Sequence, residues 1–383
     1  MIEQTRDPRR SQRSDRLTRV YVHLDRLAHN MRLLEECAGG RPLWPCIKAN
    51  AYGHGAVLVA RHLLGLGYET FGVADVGEAA ALVEAGIDAT CIVLSPALPE
   101  HAEALVAYGC EPVVCTRQMV HALAGAADRL GRSVAVHVKV DTGMGRIGIR
   151  PDEAGEFLDA CAAHTGVRVR GIMSHFARAD EADKDFSHTQ LEVFRDVVKN
   201  TQAHRIEHRH MANSAAIFDL PGSHFDAARP GIAIYGIAPS AHIANPRVRE
   251  LKPVLEWKSQ VTFLNEMPAG TGVSYGHAYR TARPSLIAAL PVGYGDGLSL
   301  RLSNNLDVLI GGMRCPQVGR ITMDMTLVDV SALRGRVNPG DEAVLIGRQG
   351  DSQVSADELA ARLGTISYEI VTGINPRVPR VAL

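Results

Sequence analysis

The chain has 383 residues, of which 46% are hydrophobic and 22% charged, and its formal net charge is −1. So even a balance excludes a protein that coats nucleic acid or lies on a membrane surface, since both need an excess of one sign. The length exceeds one domain of ordinary size and suits a large barrel joined to a smaller unit.

Residues 1–17 are polar and basic with no apolar segment behind them. They are not a secretory leader and are expected to form a disordered arm. No apolar run approaches the ~20 residues of a membrane helix. The expectation is a cytoplasmic protein with no membrane or nucleic-acid partner. The seven cysteines are scattered, odd in number and without a CxxC pair. They read as buried small hydrophobes in a reducing compartment, and no metal site is assigned.

From residue 18 to 240 short apolar runs alternate with helix-like stretches. Strands are predicted at 42–49, 70–74, 91–95, 111–115, 133–140, 167–175, 206–212 and 232–236. The intervening segments are rich in Ala, Leu and Glu with apolar residues three and four apart, and several end at glycine. Eight such repeats predict a closed parallel (β/α)8 TIM-type barrel in the α/β class. An open doubly wound sheet is the competing layout, but an early GxGxxG is missing. After residue 240 the texture changes to β-rich runs joined by Gly, Pro and Asn turns, with one good helix near 355–364. Residues 241–383 are therefore predicted to form a separate, mainly β domain.

In such a barrel reactive side chains gather at the C-terminal ends of the strands. Lys48 ends the first predicted strand, Arg146 follows the fifth and His175 ends the sixth. Asn213 and Ser214 follow the seventh, and Arg229 to Ile232 lie at the eighth. Ser214 opens a short helix, and Gly231 and Ile232 offer backbone N–H groups, an arrangement that suits phosphate. Tyr52 can add a hydroxyl. A lysine in a partly buried, cationic neighbourhood has a lowered pKa and forms Schiff bases. Lys48 is thus the candidate carrier of pyridoxal 5'-phosphate. Taken singly, each of these residues has an ordinary reading: a surface lysine, a satisfied histidine, an ion-paired arginine, a turn glycine. Their convergence on one mouth is what carries the argument.

The segments CIKANAYGHG, KVDTGMGRIG, MSHFA, HMANS, RPGIAIYG, GVSYG, PVGYGDG, GRITMD and ISYEI occur in that order. With them the sequence resembles the alanine racemase family over nearly its whole length. The resemblance implies that Lys48 holds the cofactor and serves as one of two acid–base groups, with Tyr275 the other. It implies that Tyr275 comes from the β domain of a partner, in a head-to-tail homodimer with shared sites. It assigns phosphate contacts to Tyr52, Ser214, Gly231, Ile232 and Tyr368. Arg229 matches the group facing the pyridine nitrogen, with His210 behind it. Arg146 matches a contact to the cofactor's phenolic oxygen and the substrate carboxylate, and His175 the partner of the catalytic tyrosine. The backbone of Met323 matches a substrate carboxylate contact, Lys139 a lysine often carbamylated, and Tyr294 a residue at the substrate entrance.

The physics suits these roles. One base on each face removes and returns the α-proton without moving the substrate. A tyrosine, ordinarily titrating near about 10, needs neighbours such as a histidine and an arginine to lower it. An always-charged arginine leaves a ring nitrogen unprotonated. A racemase of serine, lysine or arginine remains open, because one methylene is worth only ~1–3 kcal/mol of discrimination. A barrel-fold decarboxylase and a cofactor-carrier protein fit less well: the former pairs the ring nitrogen with a carboxylate, and the latter is a lone barrel.

Overall fold

The structure is a computed structural model and describes residues 16–383. The predicted arm lies outside the described residues except for Arg16 and Leu17. The chain divides into two compact units, one of residues 25–253 and one of residues up to Leu24 together with 254–383.

The chain enters through β1 (Arg19–Val22) and α1 (Leu24–Cys37). The first stave of the barrel follows at 43–46 and then α2 (Ala56–Gly65). Next come β2 (Thr70–Val73), α3 (Val76–Glu84), β3 (Thr90–Val93), α4 (Ala102–Ala107), β4 (Glu111–Val114), α5 (Arg117–Leu130), β5 (Val134–Lys139), α6 (Ala154–Ala162), β6 (Val167–Met173), α7 (Asp185–Asn200), β7 (His208–His210) and α8 (Ser214–Asp219). β2 to β7 form one parallel sheet in sequence order. Parallel bridges Cys46↔Gly72, His210↔Ala227 and Leu43↔Ala228 add the first and eighth staves and close the ring. β4 and β5 are buried on both faces, which is why they read as continuous Val-rich runs rather than alternating ones. The helices carry the expected stops and starts. Thr116 Oγ1 accepts the Met119 N–H to cap α5, and Gly131 ends that helix in the left-handed conformation.

The eighth stave is a correction. It was predicted at 232–236, but Ile232–Tyr235 is a 3-10 helix and the stave sits earlier, at Ala227 and Ala228. Those two residues carry no strand signal of their own; the requirement to close the ring places them.

In the second unit β1 pairs with β8 (Leu255–Gln260) and with the final strand, β18 (Arg380–Ala382). Between them lie β9 (Phe263–Met267), β10 (Gly272–Val273), β11 (Tyr279–Arg280), β12 (Ser285–Leu290), β13 (Asp307–Ile310), β14 (Met313–Pro316), β15 (Thr326–Asp329), β16 (Glu342–Gln349), β17 (Ser352–Val354), α9 (Ala356–Leu363) and α10 (Ser367–Thr372). The strands make a larger sheet ordered β14-β13-β16-β8-β1-β18, with β17 on β16, and a smaller one ordered β15-β12-β9.

The boundaries therefore differ from those expected at 18 and 240. Residues 19–22 serve as a strand of the β unit, with Val20 opposite Trp257 and Arg380. Residues 241–253 stay with the barrel. Asn30 on α1 bonds both polar groups of the Lys252 peptide, at 2.9 Å each, and His29 Nε2 lies 2.9 Å from the Glu250 carbonyl. Gly236 makes room for this return: a Cβ there would meet the Lys252 carbonyl oxygen at 1.8 Å.

Candidate active site

Lys48 follows the first stave by two residues and stands half-buried. Behind it the backbone does something unusual. Ala49, Asn50, Ala51 and Tyr52 have φ of 52°, 54°, 54° and 50°, a left-handed helical turn made of non-glycine residues. Each such residue costs ~1–2 kcal/mol. The turn is held by hydrogen bonds: the Ala49 N–H donates to Glu78 Oε1 at 2.7 Å and the Ala56 N–H to Asn50 Oδ1 at 2.8 Å. The second oxygen of Glu78 accepts the Ala74 N–H at 2.7 Å, so α3 is tied to the strand before it. Sequence reasoning saw a glycine-rich turn and missed both this geometry and Glu78. The turn brings the Tyr52 hydroxyl over Gly231, where a Cβ would approach it to 2.5 Å.

Ser214 sits at the start of α8, and its hydroxyl accepts the Gly231 N–H at 2.8 Å and the Ala233 N–H at 3.3 Å. Asn213 caps the same helix by accepting the Ala216 N–H at 3.0 Å. Tyr52, Asn213, Ser214, Gly231 and Ile232 are thus brought together at the ends of the seventh and eighth staves.

Arg229 is 3% exposed and fixed on several sides. It donates to His210 Nδ1 at 2.5 Å, to the Ser174 carbonyl at 2.8 Å and to the Met211 carbonyl at 3.3 Å, with His175 Nδ1 at 3.4 Å. Burial lowers its pKa to about 10, which leaves it charged at neutral pH. His175 is held well below the ordinary histidine range, first by burial and then by Arg229, Lys139, Arg146 and Lys48, so its ring is neutral. Lys139, 2% exposed, is lowered to about 7 by burial and by Arg229. Arg146 lies on the exposed loop between β5 and Ile149. The base of that loop is Asp141, whose carboxylate accepts the N–H groups of Gly143, Met144 and Gly145. Burial alone would raise the Asp141 pKa; those three donors bring it below the usual range. Behind Arg229 the chain of polar groups continues through His210 to His137 and Glu111, two residues that sequence reasoning did not single out. The available signal was a histidine and a carboxylate inside otherwise apolar strands.

Tyr275, Met323, Tyr294 and Tyr368 belong to the β unit. The first three lie on loops that are knit together. Ser274 Oγ donates to the Arg320 carbonyl at 2.6 Å, and the N–H groups of Tyr294 and Gly295 donate to the carbonyls of Thr322 and Met323 at 3.0 and 2.9 Å. Under them Asp296, fully buried, accepts from Arg377 Nε at 2.8 Å and from Arg16. The side chains on top are exposed: Tyr275 70%, Met323 54%, Met325 53% and Tyr294 45%. Tyr368 is on α10.

A closed parallel barrel whose mouth gathers lysines and arginines around a serine–glycine seat defines an α/β-barrel protein suited to an anionic ligand. Comparison with known proteins narrows the class. The family described as alanine racemase, N-terminal domain, matches residues 22–239, and that described as alanine racemase, C-terminal domain, matches residues 254–382. An alanine racemase of Carboxydothermus hydrogenoformans is 45% identical over 94% of this chain and 98% of its own length. One of Halothermothrix orenii is 41% identical over 97% and 98%. Among solved structures, alanine racemase of Clostridium difficile superposes with a TM-score of 0.91 at 32% identity, covering 96% of both chains. The Bacillus anthracis enzyme with bound L-Ala-P does so at 0.89 and 35%, covering 96% of this chain and 95% of that one. The chain belongs to the alanine racemase family.

The family's cofactor, pyridoxal phosphate, fits the residues present. The serine–glycine seat at the ends of the seventh and eighth staves suits its phosphate, the absent Cβ of Gly231 leaves a cradle beneath the Tyr52 hydroxyl, and Lys48 is the amine at the barrel's end.

Proposed function

We propose that this chain interconverts L- and D-alanine with pyridoxal phosphate, using Lys48 and Tyr275 as proton carriers on opposite faces of the substrate's α-carbon. The observation that carries this reading is the barrel mouth itself, where Lys48 shares a cation-rich space with a neutral His175 and a fixed, charged Arg229. The names of the curated relatives support alanine as the substrate.

When bound, pyridoxal phosphate supplies an electron-withdrawing ring that acidifies the α-C–H of an amino acid joined to it. Tyr52, Ser214, Gly231 and Ile232 would receive the phosphate. Lys48 anchors the cofactor and handles the proton on one face; Tyr275 handles the other. Arg229 keeps its own proton at neutral pH and so does not protonate the ring nitrogen it faces. With that proton withheld, the ring would be a weaker electron sink, which would favour return of the proton over competing bond cleavage. His175, being neutral, meets the tyrosine through a hydrogen bond rather than as a cation. Arg146 and the backbone of Met323 orient the substrate carboxylate, and Tyr294 lines its entrance. Lys139, with a pKa of about 7, has free amine available at neutral pH to add carbon dioxide. The addition releases one proton to solvent, and the resulting carbamate anion would stand among Arg229 and Arg146 and lock both.

Tyr275, Tyr294, Met323 and Met325 are large exposed side chains on loops bonded to one another, and exposed aromatic and apolar groups of this size suit coverage by another protein surface. We take that surface to be a second copy, so that the complete site pairs Lys48 of one subunit with Tyr275 of the partner subunit in a head-to-tail homodimer. The protein acts in the cytoplasm and supplies D-alanine for peptidoglycan synthesis. No helix among the described residues is long and apolar enough to cross a membrane.

The test is α-proton exchange in deuterated water on a panel of L- and D-amino acids, with handedness read by chiral chromatography. Exchange and inversion of alanine above all others supports the reading. Equal rates on serine, lysine or arginine would discard the narrow substrate, and exchange of none would discard racemisation.

A further inference from the structure

A line of polar groups runs inside the barrel from Arg229 across its staves. The Arg229 Nη1–H donates to His210 Nδ1 at 2.5 Å, so the His210 proton must sit on Nε2. That nitrogen is 2.8 Å from His137 Nδ1, and His137 Nε2 is 2.9 Å from Glu111 Oε2. The other oxygen of Glu111 accepts from Arg170. His210 and His137 are fully buried and Glu111 is 8% exposed. One arrangement of protons lets every donor meet an acceptor: both rings neutral, both protonated on Nε2, and Glu111 ionised. The surroundings enforce it. Burial, together with Arg229, His137, His208 and Lys139, disfavours an imidazolium at His210, and at His137 burial, with Arg170 and His208, outweighs the opposite pull of Glu111. Trp44 meets both rings edge-on, at 4.8 and 5.8 Å. Gly171 on β6 leaves space for His137, since a Cβ there would lie 2.1 Å from Nδ1.

We propose that Glu111 is a positioning residue for Arg229: through His137 its carboxylate fixes the tautomer of His210 that accepts the Arg229 N–H, and so sets the guanidinium that faces the cofactor ring. The last clause rests on the reading that Arg229 faces that ring. Were His210 to carry its proton on Nδ1 instead, two donors would oppose each other and the guanidinium would have to turn away. Glu111→Gln should produce that reversal. A glutamine that keeps its oxygen toward Arg170 presents its NH2 to His137 Nε2, which inverts every donor in the line.

The test is nitrogen-15 histidine labelling of the holoenzyme, reading the ring-nitrogen resonances from about pH 5 to about pH 8, where an ordinary histidine would titrate. Wild type is expected to show His137 and His210 neutral and protonated on Nε2 throughout. In Glu111→Gln the His210 resonances should move toward the Nδ1-protonated pattern, while Glu111→Asp, which keeps the charge, should restore the wild-type one. A wild-type His210 that is protonated on Nδ1 or is an imidazolium overturns the proposal without any variant. So does a folded Glu111→Gln protein with unchanged resonances. The absorbance of bound cofactor, titrated in the same samples, separates the two readings. A changed tautomer with an unchanged cofactor titration would uphold the relay and remove Arg229 from the ring.

Discussion

Lys48 and Tyr275 are assigned different faces of one carbon, so their loss should look different. Lys48→Ala is expected to abolish both bound-cofactor absorbance and turnover, read by spectrum and by chiral assay. Tyr275→Phe should keep the cofactor spectrum, lower turnover by roughly 10²–10⁴, and suppress α-proton exchange mainly from L-alanine. Equal suppression from both isomers would remove the tyrosine from its assigned face. Lys139 gives a pH test. Only its unprotonated amine adds carbon dioxide, and its pKa of about 7 lies far below that of an ordinary lysine. With labelled bicarbonate, a carbamate carbon signal should therefore be weak on the acid side of about pH 7 and grow through neutrality. An ordinary lysine would show it only several pH units higher.

At the scale of elements, backbone close approach decides what the chain tolerates. Gly236, with φ of 77°, would place a Cβ 1.8 Å from the Lys252 carbonyl, and the atoms it would strike are main chain. Gly236→Ala should destabilise by ~3 kcal/mol or more, visible as a lowered thermal midpoint. An unchanged midpoint would mean that the segment before residue 254 is not tied to the barrel as described. Much of the barrel was legible, because β2 to β5 are largely buried on both faces and read as runs such as VAVHVK. The eighth stave was not. IAIYG has the look of a strand, whereas Ala227 and Ala228 have none, and ring closure outweighs local preference. The left-handed turn after Lys48 was equally hidden. Nothing in ANAY requires positive φ; a distant glutamate, Glu78, holds the turn in place. Glu111 and His137 could have been caught as polar residues inside apolar strands, a pattern that asks where each would find a partner.

For the whole molecule, the sequence located a barrel followed by a β-rich part, but not that residues 19–22 leave the barrel to complete a β sheet. That exchange depends on pairing across more than two hundred residues, which no local pattern records. The proposed assembly depends on a longer step still, from one copy to another. Mixing Lys48→Ala with Tyr275→Phe protein and allowing the subunits to exchange tests it most directly. If each site takes its lysine from one subunit and its tyrosine from the other, a mixed dimer holds one intact site. Half of the dimers are mixed at equal amounts, so activity should return to about a quarter of wild type from two inactive proteins. No recovery, under conditions where exchange of subunits is shown by mass, would contradict the shared two-base site.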